Sequence, residues 1–167
     1  MKIIFLDFDG VVTAMNETPG SYITNKSDTY GSTPICVKRL LNIVNNTNAK
    51  IVISSNWRKF AYIGEQSIWR NSYYGNISNP LPNFIPLLGN SYLETLPPIR
   101  HLTKAYVVEQ WLLQHNNIES FVVLDDMCEQ EQYTKLDIFK NKYINTNPET
   151  GLTDKDCDLA ISILKKW

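Results

Sequence analysis

Three short apolar runs in this chain end abruptly in acidic or hydroxyl residues, with amphipathic stretches between them. Ile3-Ile4-Phe5-Leu6 runs into Asp7, Ile51-Val52-Ile53 into Ser54-Ser55, and Phe121-Val122-Val123-Leu124 into Asp125-Asp126. Continuous apolar runs of this length suit strands buried on both faces, as in parallel sheets. Between them, apolar residues recur at helical spacing: Val37, Leu40, Leu41 and Val44, then Ala105, Val108, Trp111 and Leu112. A last stripe, Leu159, Ala160, Ile163 and Leu164, marks a helix expected to turn all four residues to the core. Thr33-Pro34 opens the first helix, with Thr as N-cap and Pro at the first helical position. Thr153 caps the last, with Asp156 near the positive end of the helix dipole. A further helix is expected after Trp57, carrying Phe60, Ile63 and Ile68, and a weak strand over 142–145. Alternating strands and helices predict an α/β fold: a mostly parallel sheet with helices on both faces.

Two stretches escape this rhythm. Residues 13–33 are polar and read as a flap or long loop inserted after the first strand. From about 73 to 98 the chain is irregular and dense in Pro, Asn, Gly and aromatics, with Phe84 to Leu88 expected as a short strand. Residues 59–99 as a whole read as a helix followed by a small lid-like segment. The 167 residues form one expected domain, 1–167, without internal repeats.

Composition narrows the function. With 16 basic and 17 acidic residues there is no global positive field of the kind that marks a general nucleic-acid binder. The longest apolar runs are far too short to span a membrane. The N-terminal run stops at Asp7 with no small-residue cleavage site, so the expected compartment is the cytoplasm. Cys36, Cys128 and Cys157 are widely spaced and form no Cys-x-x-Cys pair. They read as free thiols, with no disulfide-linked partner and no zinc site. His101 and His115 likewise lack ligands at metal spacing.

The chemistry lies where the apolar runs end. Residues two apart in extended chain point the same way, so Asp7 and Asp9 converge on one ion or phosphate. Gly10 permits a sharp turn and keeps a side chain away from a ligand. In a parallel sheet the carboxyl ends of the strands share one edge. Asp7, Asp9, Ser54, Ser55, Asn56, Asp125 and Asp126 are therefore expected to meet there, with Lys104 opening a nearby helix. Several carboxylates together repel unless a divalent cation sits among them, and hard oxygen ligands in this number suit Mg²⁺. A hydroxyl and a lysine are what such a site needs to hold phosphoryl oxygens, so the set reads as phosphoryl transfer.

The order Asp-x-Asp, Ser, Lys, Asp-Asp resembles the four motifs of the haloacid dehalogenase (HAD) superfamily of phosphatases. The closer resemblance is to the HAD domain of "Swiss army knife" RNA-repair proteins, and it covers nearly the whole chain. It is carried by Ile51-Val52-Ile53-Ser54-Ser55-Asn56-Trp57-Arg58, by Lys104 seven residues before Trp111-Leu112, and by Gly151-Leu152-Thr153 with Asp156, Ala160 and Leu164. Ala105, Tyr106 and Val107 depart from it, standing where a glycine and acids are usual. The resemblance implies a Rossmann-like three-layer sandwich with at most a small lid. It implies Asp7 as a nucleophile forming an aspartyl phosphate, and Asp9 as the acid and then the base. Mg²⁺ would be held by Asp7, the Asp9 carbonyl oxygen and the Asp125-Asp126 pair, with Asp126 the preferred direct ligand and Asp125 behind it. Ser55 is the preferred phosphate-holding hydroxyl, with Ser54 its competitor, and Arg100 competes with Lys104.

Trp57 and Arg58 carry two readings each. An arginine beside a phosphate site clamps a second phosphate, and an aromatic stacks on a base, but a tryptophan on a new helix also serves as core. Trp69, Tyr73, Tyr74 and Tyr92 pose the same choice between a self-packed lid and a stacking platform. The expected function is Mg²⁺-dependent hydrolysis of a phosphomonoester, with the RNA-repair likeness implying a nucleic-acid end or a nucleotide as substrate. A small phosphometabolite, a phosphoprotein, or a non-catalytic phosphate- and Mg²⁺-binding module are the alternatives. A receiver-type phosphoacceptor is excluded by order, since it needs its acid pair first, its acceptor mid-chain and its lysine last.

Overall fold

In the computed structural model the described residues are 1–14, 32–58, 69–71, 75–77, 80–99, 101–127 and 132–166. Strand β1 (Lys2–Leu6) is followed by α1 (Pro34–Thr47) and β2 (Lys50–Ile53). The hairpin strands β3 (Trp69–Asn71) and β4 (Gly75–Ile77), then α2 (Leu81–Leu88) and β5 (Tyr92–Thr95), come next. The chain continues through α3 (Lys104–Gln114), β6 (Ser120–Asp125), β7 (Tyr143–Asn145) and α4 (Asp154–Lys165). Strands β5-β2-β1-β6-β7 form one sheet in that order, every pairing parallel, and β3 and β4 pair antiparallel on their own.

This order contains one reversal. The chain moves outward from β1 through β2 to β5, then returns to the other side of β1 for β6 and β7. The crevice between the carboxyl ends of β1 and β6 is the topological switch point, where open α/β sheets bind ligands. Register fixes what stands there. Leu6 lies opposite both Ile53 and Leu124, so Asp7, Ser54 and Asp125 end the three strands side by side. The Asp7 amide donates to Leu124 O at 3.0 Å, and the Ser54 amide to Leu6 O at 2.8 Å.

Strand alternation sorts the core into two layers. Ile4, Leu6, Ile51, Ile53, Val122 and Leu124 face α1, α2 and α4, while Ile3, Phe5, Val52, Phe121 and Val123 face α3. By the same alternation Asp7, Ser54 and Asp125 fall on the α3 side, where Lys104 begins its helix. Thr33 caps α1 with its backbone in extended conformation, but its hydroxyl accepts from the Ala14 amide at 2.9 Å instead of capping the helix. It thereby ties the chain just beyond Asp9 to α1. At α4, Thr153 and Asp156 complete a reciprocal capping box.

Three expectations need correction. Phe84 to Leu88 is helical, because Pro82 sits in the first turn of α2, where a missing N–H costs little, and Leu81, Phe84 and Leu88 make one buried stripe. The stretch 73–98, expected to be irregular, also supplies β5, the sheet's edge strand. On α4, Leu159 is 47% exposed, because Cys157, Ala160 and Leu164 define the buried face. Cys36 and Cys157 are both buried. Most of the 13–33 flap, Cys128, and the helix expected to carry Phe60, Ile63 and Ile68 lie outside the described residues. Among the described residues no large cap domain is evident, and no helix is long and apolar enough to cross a membrane.

Candidate active site

Asp7 leaves β1 buried, and its Oδ1 accepts the Phe8 amide at 2.8 Å. Its Oδ2 lies 2.5 Å from Lys104 Nζ, which also donates to Asp125 Oδ2 at 3.0 Å. Lys104 is 1% exposed, so α3 delivers a buried cation between the acids that end two adjacent strands. Burial alone would lower the Lys104 pKa, but Asp7 and Asp125 outweigh it and hold the ammonium above its ordinary value. Arg100, its rival in the sequence, lies outside the described residues.

Asp125 is tied down on every side. Its Oδ1 accepts from the Met127 amide at 3.0 Å, its Oδ2 from Lys104 and from Tyr133 Oη at 3.5 Å, and its carbonyl from Tyr143 Oη at 2.9 Å. Burial, then the charge of Asp7, raises its pKa, against the pull of Lys104. Asp126 differs. Among the described residues its buried Oδ1 has no hydrogen-bond partner, and burial followed by Asp7 raises its pKa too. Oxygens of Asp7, Asp125 and Asp126 lie within 4.8 Å of one another. That cluster of three acids, one of which carries a buried oxygen without a partner among the described residues, fits a hard divalent cation. The Asp9 carboxylate is not part of it.

Gly10 makes room for this arrangement. Its φ is +67°, and a Cβ built there would stand 2.3 Å from Asp126 Oδ2. The Gly10 amide donates to Thr13 Oγ1 at 3.0 Å, and its carbonyl accepts from Thr146 Oγ1 at 2.8 Å. The turn after β1 is thus pinned at both peptide groups.

Asp9 stands at the rim, its side chain reaching solvent. The atoms packed behind it, then the charge of Asp7, push its pKa up to about 6, while the hydrogen bond from Trp57 pulls it down. The turn after β2 faces it. Ser54 and Ser55 are both buried. The Ser54 hydroxyl has no partner among the described residues, whereas Ser55 Oγ accepts the Trp57 amide at 3.3 Å. Asn56 is half-buried in the same turn. Arg58, 2% exposed, turns its guanidinium inward and donates through Nη1 to the carbonyl oxygens of Ser54 and of Ser55. It braces the loop from behind.

The structure thus brings Asp7, Asp9, Gly10, Ser54, Ser55, Lys104, Asp125 and Asp126 to one sheet edge. Sequence reasoning missed Tyr133, Tyr143 and Thr146, which carry no motif and reach the site only through the fold. Trp57 had a signal, its place directly after the Ser-Ser-Asn turn, but not one that gave a partner. The side chains of Trp69, Tyr73 and Tyr74 lie outside the described residues, and Tyr92 spends its hydroxyl on Thr95 at 3.1 Å.

A family model described as the HAD domain in Swiss Army Knife RNA repair proteins matches residues 3–157. The chain belongs to this family. No curated protein and no solved structure matches it. As a HAD domain, the fold is Rossmann-like α/β with an all-parallel five-stranded sheet. Membership supports a phosphatase-type enzyme in general, and HAD domains usually use Mg²⁺.

Proposed function

We propose that this HAD domain is a Mg²⁺-dependent phosphomonoester hydrolase that works through an aspartyl phosphate on Asp7, with a nucleic-acid end or a nucleotide as substrate. The observation that carries this reading is the Lys104 ammonium held between Asp7 and Asp125, beside the orphaned oxygen of Asp126. A purely structural ion pair has no use for the extra acid.

In this reading Asp7 Oδ attacks phosphorus, and the bond to the leaving oxygen breaks with its electron pair staying on that oxygen. Asp9 delivers a proton to the leaving oxygen, then takes one from the water that attacks the aspartyl phosphate. Inorganic phosphate departs and Asp7 is restored as a carboxylate. An Asp9 pKa of about 6 suits a group that must hold a proton in one half-reaction and accept one in the next. Lys104 fixes Asp7 and balances charge. Ser55 or Ser54 holds a phosphoryl oxygen, with Asn56 and the Gly10 turn lining the same space and Arg58 supporting the loop.

Asp7, Asp126 and the Asp9 carbonyl would hold Mg²⁺, with Asp125 behind them, already occupied by Lys104 and the Met127 amide. Bound Mg²⁺ would neutralise charge on the transferring phosphoryl group. The RNA-repair family, with no large cap evident among the described residues, favours a phosphate on a macromolecular end over a small enclosed substrate. The test is phosphate release in Mg²⁺ from 3′- and 5′-phosphorylated oligonucleotides, nucleotides and sugar phosphates, with wild type and Asp7→Asn. Release from oligonucleotides by wild type alone is expected. Release that survives Asp7→Asn removes the nucleophile, and a preference for sugar phosphates removes the substrate class.

A further inference from the structure

One contact joins the Asp-x-Asp turn to the turn after β2, and the phosphatase mechanism above does not use it. Trp57 Nε1 donates to Asp9 Oδ2 at 2.7 Å. The same residue's backbone amide donates to Ser55 Oγ at 3.3 Å. Its ring is half-buried and packs against the core layer that contains Phe8, Leu81 and Phe84. The indole is therefore a rigid donor, clamped on one side by the core and presented at the rim on the other.

We infer that Trp57 is the positioning residue for Asp9, fixing which of its two carboxyl oxygens carries the proton to the leaving group. The inference rests on the phosphatase reading and extends it. An indole N–H donates and never accepts. Oδ2, bonded to it, is kept as the acceptor oxygen in both protonation states of Asp9. The proton must then ride on Oδ1, and the bond to Trp57 sets the plane in which Oδ1 points. Without that bond, an aspartate at the solvent rim has free rotation about its side-chain torsions, and its acid is aimed only part of the time. The link to Ser55 adds a second consequence: the proton donor and a phosphate-holding turn share one anchor, so they keep their spacing.

A positioning role for the acid makes a specific prediction about leaving groups. Alkoxide leaving groups need a proton as the P–O bond breaks, whereas p-nitrophenolate leaves without one. kcat/KM covers the steps up to formation of the aspartyl phosphate, so it isolates this half-reaction from the later hydrolysis. The experiment measures kcat/KM with p-nitrophenyl phosphate and with the best alkyl phosphomonoester from the substrate panel. It compares wild type, Trp57→Phe, Asp9→Asn, and a protein in which 3-benzothienylalanine replaces Trp57. That analogue keeps the bicyclic ring but has sulfur in place of N–H, so it carries the test if Trp57→Phe folds poorly.

The expected result is a fall of about 10- to 100-fold on the alkyl phosphate for both Trp57 replacements, with p-nitrophenyl phosphate changed by less than about 3-fold. Asp9→Asn should show the same selectivity more strongly. Equal losses on both substrates mean that Trp57 is only packing, and no loss on either means that Asp9 needs no anchor. Either outcome overturns the assignment while leaving the phosphatase intact. If wild type cleaves neither substrate in Mg²⁺, or Asp7→Asn cleaves both, the phosphatase reading itself falls and takes this one with it.

Discussion

Replacing Lys104 by methionine removes one positive charge and little volume from the centre of the site. The ammonium lies 2.5 Å from Asp7 and 3.0 Å from Asp125, with 1% of the residue exposed. At an effective dielectric constant near 20, each contact is worth about 6 kcal/mol of Coulomb energy. Desolvation of the buried ions offsets much of that, and breaking a buried pair by removing one partner costs about 3–5 kcal/mol net. Lys104→Met should therefore lose about 3–5 kcal/mol of unfolding free energy in EDTA at mildly alkaline pH. The loss should shrink at acidic pH, where the stranded carboxylates take up protons, and shrink again when Mg²⁺ supplies the missing charge. Urea unfolding followed by circular dichroism, with and without Mg²⁺, measures all three. A loss below about 1 kcal/mol that is indifferent to pH and to Mg²⁺ would refute the buried-network argument.

Three further outcomes follow from the same geometry. Gly10→Ala forces a Cβ to within 2.3 Å of Asp126 Oδ2 at φ +67°; it should cost about 2 kcal/mol of stability and lower phosphatase activity by roughly 100-fold through displacement of Asp126, and wild-type activity in the variant would show that the turn yields freely. In EDTA, the raised pKa of Asp9, about 6 against an ordinary 3.8, and the raised pKa of Asp125 mean that the folded state binds protons more tightly than the unfolded chain. This stabilisation is complete below the unfolded value and is lost as pH rises through the folded one, so Tm should be higher near pH 5 than near pH 8. Mg²⁺ should raise Tm most at the alkaline end, and a flat or inverted profile in EDTA contradicts the crowding of these acids. Ser54→Ala removes a buried hydroxyl with no partner among the described residues; its Tm should hold or rise by a degree or so while kcat/KM falls about 10-fold or more, and unchanged activity would hand the phosphate to Ser55.

The strand ends were legible because two properties coincide there. Ile3 to Leu6 and Phe121 to Leu124 are apolar without interruption, and each gives way to carboxylates, so a buried strand and its chemical edge are written in the same few residues. α3 was legible from its stripe of Ala105, Val108, Trp111 and Leu112, and α4 from its cap, Thr153, which accepts an N–H bond as a capping side chain should. β5 was not, because Tyr92-Leu93-Glu94-Thr95 lies on the sheet edge and lacks a run of buried positions. α2 was hidden by its prolines, which read locally as breakers although Pro82 is tolerated in the first turn. Leu159 falls off the buried face because the stripe Leu159, Ala160, Ile163 and Leu164 leaves out Cys157, which sets that face together with Ala160 and Leu164.

The site shows the same division. The residue types and their order pointed to phosphoryl transfer, but the ion pairs of Lys104 are long-range contacts, 97 and 21 residues apart in sequence. The Trp57 to Asp9 bond spans 48 residues, and nothing in local periodicity distinguishes an indole that packs from one that packs and donates. Arg58 illustrates the opposite case. Its position beside the motif suggested a phosphate clamp, while its buried guanidinium is bonded to the loop's own carbonyl oxygens.

The central claim is that Asp7 itself becomes phosphorylated. Acid-quenching the enzyme during turnover of a radiolabelled phosphomonoester in Mg²⁺, followed by peptide mapping, tests it directly. The account predicts label on the peptide carrying Asp7, released by hydroxylamine as an acyl phosphate is, and absent from Asp7→Asn. Turnover with no protein-bound label at any quench time, together with phosphate release by Asp7→Asn, would contradict it.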